Sequence, residues 1–205
     1  MNTQMTQPTT TMQIPEPPIA RLLFADTRIA LLWTILRLYL GYEWLTAGWE
    51  KLTNPAGVWV GKAAGTAISG FLKGALAKTG GSNPDVSGWY ASFLQNVALP
   101  NAVFFSYLVT FGEILVGIAL ILGLLTGIAA FFGAFMNASY LFAGTVSVNP
   151  LLLLLAIGVM LAWRVAGYWG FDRWALPLLG VPGFPGTLFR PKVVATKAAT
   201  HVARR

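Results

Sequence analysis

Arg37, Glu113 and Asn137 are the residues whose types and placement would do chemistry, because each stands inside a stretch that is otherwise apolar, with Arg164 nearer the end of another. A charge in the middle of hydrocarbon costs roughly 2.5–3.5 kcal/mol on insertion scales, so such residues persist where they are paired or line a polar cavity. Opposite charges at matched depth predict an Arg37–Glu113 ion pair with Asn137 as a bridge. That pair has two readings. In one it fixes helix register and Asn137 is interhelical glue. In the other it meets an anionic or quinone-like ligand, with Arg37 and Asn137 donating hydrogen bonds and Glu113 carrying a proton. Apolar packing replaces a buried pair at little cost in stability, which favours the ligand site.

The elements that must position these residues are four apolar stretches, at about 29–49, 102–124, 127–146 and 151–168. Each approaches the ~20 residues a helix needs to cross ~30 Å of hydrocarbon. Short breaks separate the last three, which makes them sequential antiparallel neighbours. Counted from one common surface, Arg37, Glu113 and Asn137 lie roughly 13–17 Å deep and Arg164 roughly 6 Å deep. At 100° per residue Arg37, Gly41, Trp44, Gly48 and Lys51 share one stripe of the first helix. Ser106, Thr110, Glu113 and Gly117 share one of the second. Ala130, Gly133, Asn137, Leu141 and Gly144 share one of the third. Small residues beside each polar one allow close helix packing in lipid. The expected fold is an all-α integral membrane protein, a four-transmembrane-helix antiparallel bundle. A loop at 50–100 between the first two spans is expected to hold short interfacial helices, one within 57–78 and one around Trp89, Tyr90, Phe93 and Leu94.

The composition agrees. The 205 residues are 56% hydrophobic and 10% charged, with a mean hydropathy of +0.64, too apolar for a soluble domain of this size. Cysteine is absent, so the chain itself has no disulfide and no thiolate metal site. The single histidine, His201, lies in the basic tail, which leaves no imidazole in the spans for haem or another metal. The +7 net charge gathers near the ends, at Arg21 and Arg28 and at Arg190, Lys192, Lys197, Arg204 and Arg205. This pattern fits contact with anionic lipid better than nucleic acid, and places both termini in the cytoplasm, with the long loop outside a plasma membrane. Residues 1–28 read as a disordered or interfacial arm, 29–168 as the membrane domain, and 169–205 as an interfacial segment with a basic tail.

Four further residues belong to the candidate site. Lys51 shares the Arg37 stripe at its far end, where it snorkels or meets an anion under the loop, and Trp44 lies between them. Glu43 is roughly 120° around the first helix from Arg37, on a face with Tyr39, and reads as a water-exposed acid or as the start of a proton path. The candidate ligand contacts are therefore Arg37, Trp44, Asn137, Arg164 and Lys51, with Glu113 and Arg37 as the reactive pair. The tryptophans flank span ends and read mostly as an aromatic belt.

The run Arg37-Leu-Tyr-Leu-Gly41 through Trp44-Leu-Thr-Ala-Gly48-Trp-Glu-Lys51, with Phe111-Gly112-Glu113, resembles the DoxX/DoxD family of small four-helix membrane proteins. The long loop carrying Trp89-Tyr90 resembles the DoxD branch, the membrane subunit of thiosulfate:quinone oxidoreductase. The resemblance implies a quinone-linked redox subunit that oxidises a sulfur compound, thiosulfate, together with a partner that handles it, either soluble or another subunit of a membrane complex. A homo-oligomer is compatible with it. The alternative is a non-catalytic accessory or scaffold subunit of a larger membrane complex, and a small-molecule transporter stands third.

Overall fold

The computed structural model describes residues 16–181. Among them every regular element is a helix. Of the expected arm at 1–28, residues 1–15 lie outside the described residues, as does the basic tail with Arg190, Lys192, Lys197, His201, Arg204 and Arg205; Pro18–Ala25 of the arm is helical.

Four helices make the body. They are α2 (Ala30–Leu52), α5 (Ala102–Leu122), α6 (Thr126–Phe142) and α7 (Asn149–Leu161), and α2 packs on α5, α5 on α6, α6 on α7 and α7 back on α2. Short helices surround them: α1 (Pro18–Ala25), α3 (Thr66–Leu76), α4 (Gly88–Phe93), α8 (Trp163–Ala166) and α9 (Asp172–Leu178). Pro18 opens α1 and Pro150 sits in the first turn of α7, where a missing N–H costs nothing. Gly123 ends α5 in the left-handed conformation at φ 65°, while Leu124 N–H reaches back to Ala119 O at 3.0 Å. Gly144, at φ 69°, follows α6 and is accompanied by the same kind of bond from Thr145 N–H to Tyr140 O.

By length and composition α5 is the one described helix fully suited to crossing a membrane; α6 and α7 are apolar but shorter. The expected fourth stretch is not one helix. It breaks at Ala162, and α8 continues after the break.

The register of α2 on α5 is set by glycines. A methyl on Gly117 would lie 2.5 Å from the Leu45 nitrogen, and one on Gly48 would lie 2.8 Å from the Ile114 nitrogen, so the two backbones touch along this seam. Gly117→Val is expected to cost about 1–3 kcal/mol through overpacking and to lower the thermal unfolding midpoint. Gly112→Ala, where a methyl would meet only the Met136 sulfur at 3.6 Å, should melt like wild type.

This register separates Arg37 from Glu113. Gly48 stands opposite Ile114 and Gly41 opposite Gly117 and Ile121. Arg37 therefore falls at the end of α5 and Glu113 near Gly48, roughly 16 Å apart along the axis at 1.5 Å per residue. The expected Arg37–Glu113 ion pair is not formed. The two helices do not start level: the first turns of α2 run past the end of α5, onto α8.

Arg37, 2% exposed, instead closes helix ends. Its Nη1 donates to Leu120 O and, at 3.0 Å, to Ile121 O, while Nε donates to Ala166 O at 3.0 Å. Beside it Asp172, also 2% exposed, accepts from Leu125 N–H at 2.6 Å and from Thr126 N–H at 2.9 Å. Asp172 thereby caps α6 and holds Leu125 at φ 50°, a left-handed conformation costly for leucine.

Candidate functional site

The polar residues of the other half of the body converge on one cavity of about 320 Å³. α2 supplies Glu43, Trp44, Ala47 and Lys51; α5 supplies Val109 and Glu113; α6 supplies Asn137 and Tyr140. The segment between α2 and α5 covers it with Trp59, Ile68 and Phe71, and the turn into α7 adds Thr145, Ser147, Val148 and Asn149. That cover is pinned on α5, where Ser106 Oγ donates to Trp59 O at 2.6 Å. It is pinned on the last turn of α6 by Tyr90 Oη to Ser139 O at 2.9 Å, and on the turn after it by Lys78 Nζ to Gly144 O at 2.6 Å. Burial pushes the Tyr90 phenol above its ordinary range, so it stays a donor there.

Glu113 is the centre of the polar wall. Lys51 Nζ donates to its Oε2 at 2.6 Å and Tyr140 Oη to its Oε1 at 2.8 Å, so both oxygens accept a hydrogen bond. The carboxylate is 2% exposed and the lysine side chain 18%. A pair this enclosed is not a surface salt bridge of small worth. Lys51 also donates to Ala47 O at 3.3 Å and lies 5.2 Å from the centre of the Trp59 ring, a cation–π contact with the cover.

Asn137 is the anomaly. It is fully buried, and neither its Oδ1 nor its Nδ2 has a protein partner; Trp44 Nε1 is likewise buried and unpaired. Buried amides are nearly always satisfied, and each group left without a partner costs about 1–3 kcal/mol. An Asn with an open donor and an open acceptor, lining a cavity beside an ion pair, has the form of a ligand-binding group.

The structure thus brings together Glu113, Asn137, Trp44, Lys51 and Glu43. It does not bring in Arg37, at the far end of α5, nor Arg164, whose Nη2 lies 3.3 Å from Glu16 and whose guanidinium packs 5.9 Å from the Trp163 ring. Tyr39 is 40% exposed on the outer face of α2 and does not line the cavity. Tyr140 was not expected. The α6 stripe through Gly133 and Asn137 reaches position 140 as readily as 141, and a phenol three residues beyond an inward Asn is the signal that identifies it.

A family model, DoxX, matches residues 32–146, more than half of the chain. The chain belongs to the DoxX family. No curated protein and no solved structure matches it. The region matched in this DoxX protein runs from the start of α2 to the turn after α6, so Glu43, Trp44, Lys51, Glu113, Asn137 and Tyr140 all fall inside it. Ala166 and Asp172, which hold the opposite end, fall outside.

Proposed function

We propose that this DoxX protein is a multi-pass membrane redox subunit whose cavity takes the head group of a quinone. α2, α5, α6 and the α7–α8 pair would cross a plasma membrane, with both termini cytoplasmic and the segment between α2 and α5 outside. Support for the crossing comes from an inverted surface. Leu31, Leu32, Ile35, Phe104, Leu108, Leu115, Phe131, Phe132, Phe135, Leu151 and Leu154 are each more than half exposed on the helices, while the polar residues face inward.

The observation that carries the ligand is the open amide of Asn137 beside Lys51–Glu113–Tyr140. A quinone carbonyl is an acceptor and its reduced hydroxyl a donor, and the Asn137 amide matches either. Lys51 Nζ, with donors beyond those given to Glu113 and Ala47, would supply positive charge to the ring oxygen. The cavity is at the lower end of the size range of small-molecule sites, enough for a substituted ring. A bound quinone would accept two electrons and two protons. Glu113 and Tyr140 are the groups that would hold protons beside it, and Glu43 the group through which they would be replaced. The electrons would come from a sulfur compound such as thiosulfate, oxidised by a partner polypeptide.

Tyr140→Phe removes one of the two donors to Glu113 without opening space. It is expected to reduce quinone turnover about tenfold and to lower the melting midpoint by several degrees, on the scale of one lost hydrogen bond to a buried carboxylate. The reading itself is tested by gentle purification from native membranes, followed by mass spectrometry of bound quinone and co-purifying subunits. Stoichiometric quinone supports it. A stable multi-subunit assembly carrying no quinone on this chain makes it an accessory subunit instead.

A further inference from the structure

The cavity exists because one wall is short. α5 has 21 residues and α7 only 13, about 31 Å against about 20 Å of helix. Trp33 of α2 packs on Gly158 near the end of α7, at 3.2 Å from where a methyl would stand. Counting back along the antiparallel pair puts the start of α7 near the level of Glu43, and α2 continues for about two turns beyond it. Over those turns, which carry Ala47 and Lys51, α7 does not face the polar wall, and Ile68 and Phe71 of α3 cover it from above.

The exposed residues among the cavity lining mark where it opens. Ser147 and Val148, both in the turn before α7, are the exposed ones, and Glu43 of α2, which lines the same cavity, is partly buried. Ser147 sits at φ 39°, an uncommon conformation for serine, so this rim is held in a costly shape. Around it the outer surface is apolar: Val146 is 64% exposed, Val148 54%, Leu151 53% and Leu154 68%, and Tyr42 on α2 is 61% exposed. The deep end is polar, at Asn137, Lys51 and Glu113.

We propose that the cavity opens sideways between Glu43 of α2 and Val148 of the α6–α7 turn, and that its ligand is a tailed amphiphile entering from the lipid. The polar ring lies against Asn137 and Lys51, and an alkyl or isoprenoid tail leaves past Val148, Glu43 and Leu152. The cavity holds a ring but no long chain, so the tail remains on the apolar outer surface. This inference rests on the quinone reading and adds the tail, its exit and the residues that select it.

The test uses the full-length protein in nanodiscs and a benzoquinone whose alkyl tail carries a diazirine near the ring. Labelling is compared with and without an excess of the same ring lacking a tail. Label that the competitor removes and that maps to Glu43, Val148 or Leu152 is the expected result. Competed label on Ile68 and Phe71 would mean the tail leaves under the cover, which overturns the sideways exit while keeping the quinone site. An absence of any competed label overturns the quinone reading and this exit with it. Val148→Trp, which narrows the rim without touching the polar wall, should lower competed labelling about fivefold, about 1 kcal/mol; unchanged labelling with a folded variant counts against the exit.

Discussion

Lys51→Met is expected to destabilise the protein by about 3–5 kcal/mol and to abolish quinone binding together. Removing one partner of an enclosed ion pair leaves the other charge without compensation, and Glu113, 2% exposed on its side chain, would keep only the Tyr140 hydroxyl. Methionine fills the lysine stem's volume, so the loss is electrostatic and not a cavity effect. The double variant Lys51→Met/Glu113→Gln has no charge to strand and should recover most of the lost stability. It should not recover binding, because the cation is still missing. Thermal unfolding in detergent reads the first effect and equilibrium quinone binding the second. A single variant that melts like wild type would mean that the Lys51–Glu113 contact contributes nothing.

Arg37→Met should be as damaging to stability and have no effect on the site. The guanidinium serves carbonyls at the end of α5 and Ala166 O of α8, and it sits by the Asp172 cap. Removing it leaves Leu120 O, Ile121 O and Ala166 O without these donors and takes a buried cation away from the neighbourhood of Asp172. Charged hydrogen bonds contribute about 1.5–3 kcal/mol each, so a loss of several kcal/mol follows. The folded fraction should bind quinone with an affinity within about twofold of wild type, since Arg37 is roughly 16 Å along the axis from Glu113. A variant that melts normally but no longer binds quinone would return Arg37 to the site.

The contrast between these two cations explains what was legible in the sequence. Helical periodicity placed Arg37, Gly41, Trp44 and Gly48 on one buried face of α2, and Ser106, Thr110, Glu113 and Gly117 on one of α5. Asn137 and Gly133 fell on the buried face of α6 in the same way. Faces follow from 100° per residue, but axial register does not. Register here depends on which glycines meet, Gly41 with Gly117 and Gly48 with Ile114, and on how far α2 extends past α5. Counting depth from assumed span ends set Arg37 level with Glu113 and put Lys51 at the outer helix end, snorkelling or meeting an anion under the loop; the anion it meets there is Glu113. Glu43 was placed on a separate face from Arg37, which is right for the upper turns of α2. It still reaches the cavity because α7 stops short of covering that side.

Asp172 gave no signal as a capping residue. It follows a Gly-Phe pair in a short helix far along the chain, and only the fold brings it to Leu125 and Thr126. Arg164, at roughly 6 Å by counting, reads either as a second cation for the site or as a snorkelling side chain, because the last apolar stretch reads as one helix. The break at Ala162 turns it outward, to Glu16 and Trp163.

The proposed binding rests on the unpaired amide of Asn137. Equilibrium binding of a benzoquinone to purified Asn137→Leu, beside wild type, tests it most directly. Leucine has similar volume and no polar atom to leave unpaired, so the variant should fold as well as wild type or better. At least about a tenfold weaker affinity is expected in that well-folded variant, the loss of one to two ligand hydrogen bonds. Equal affinity in wild type and Asn137→Leu would contradict it.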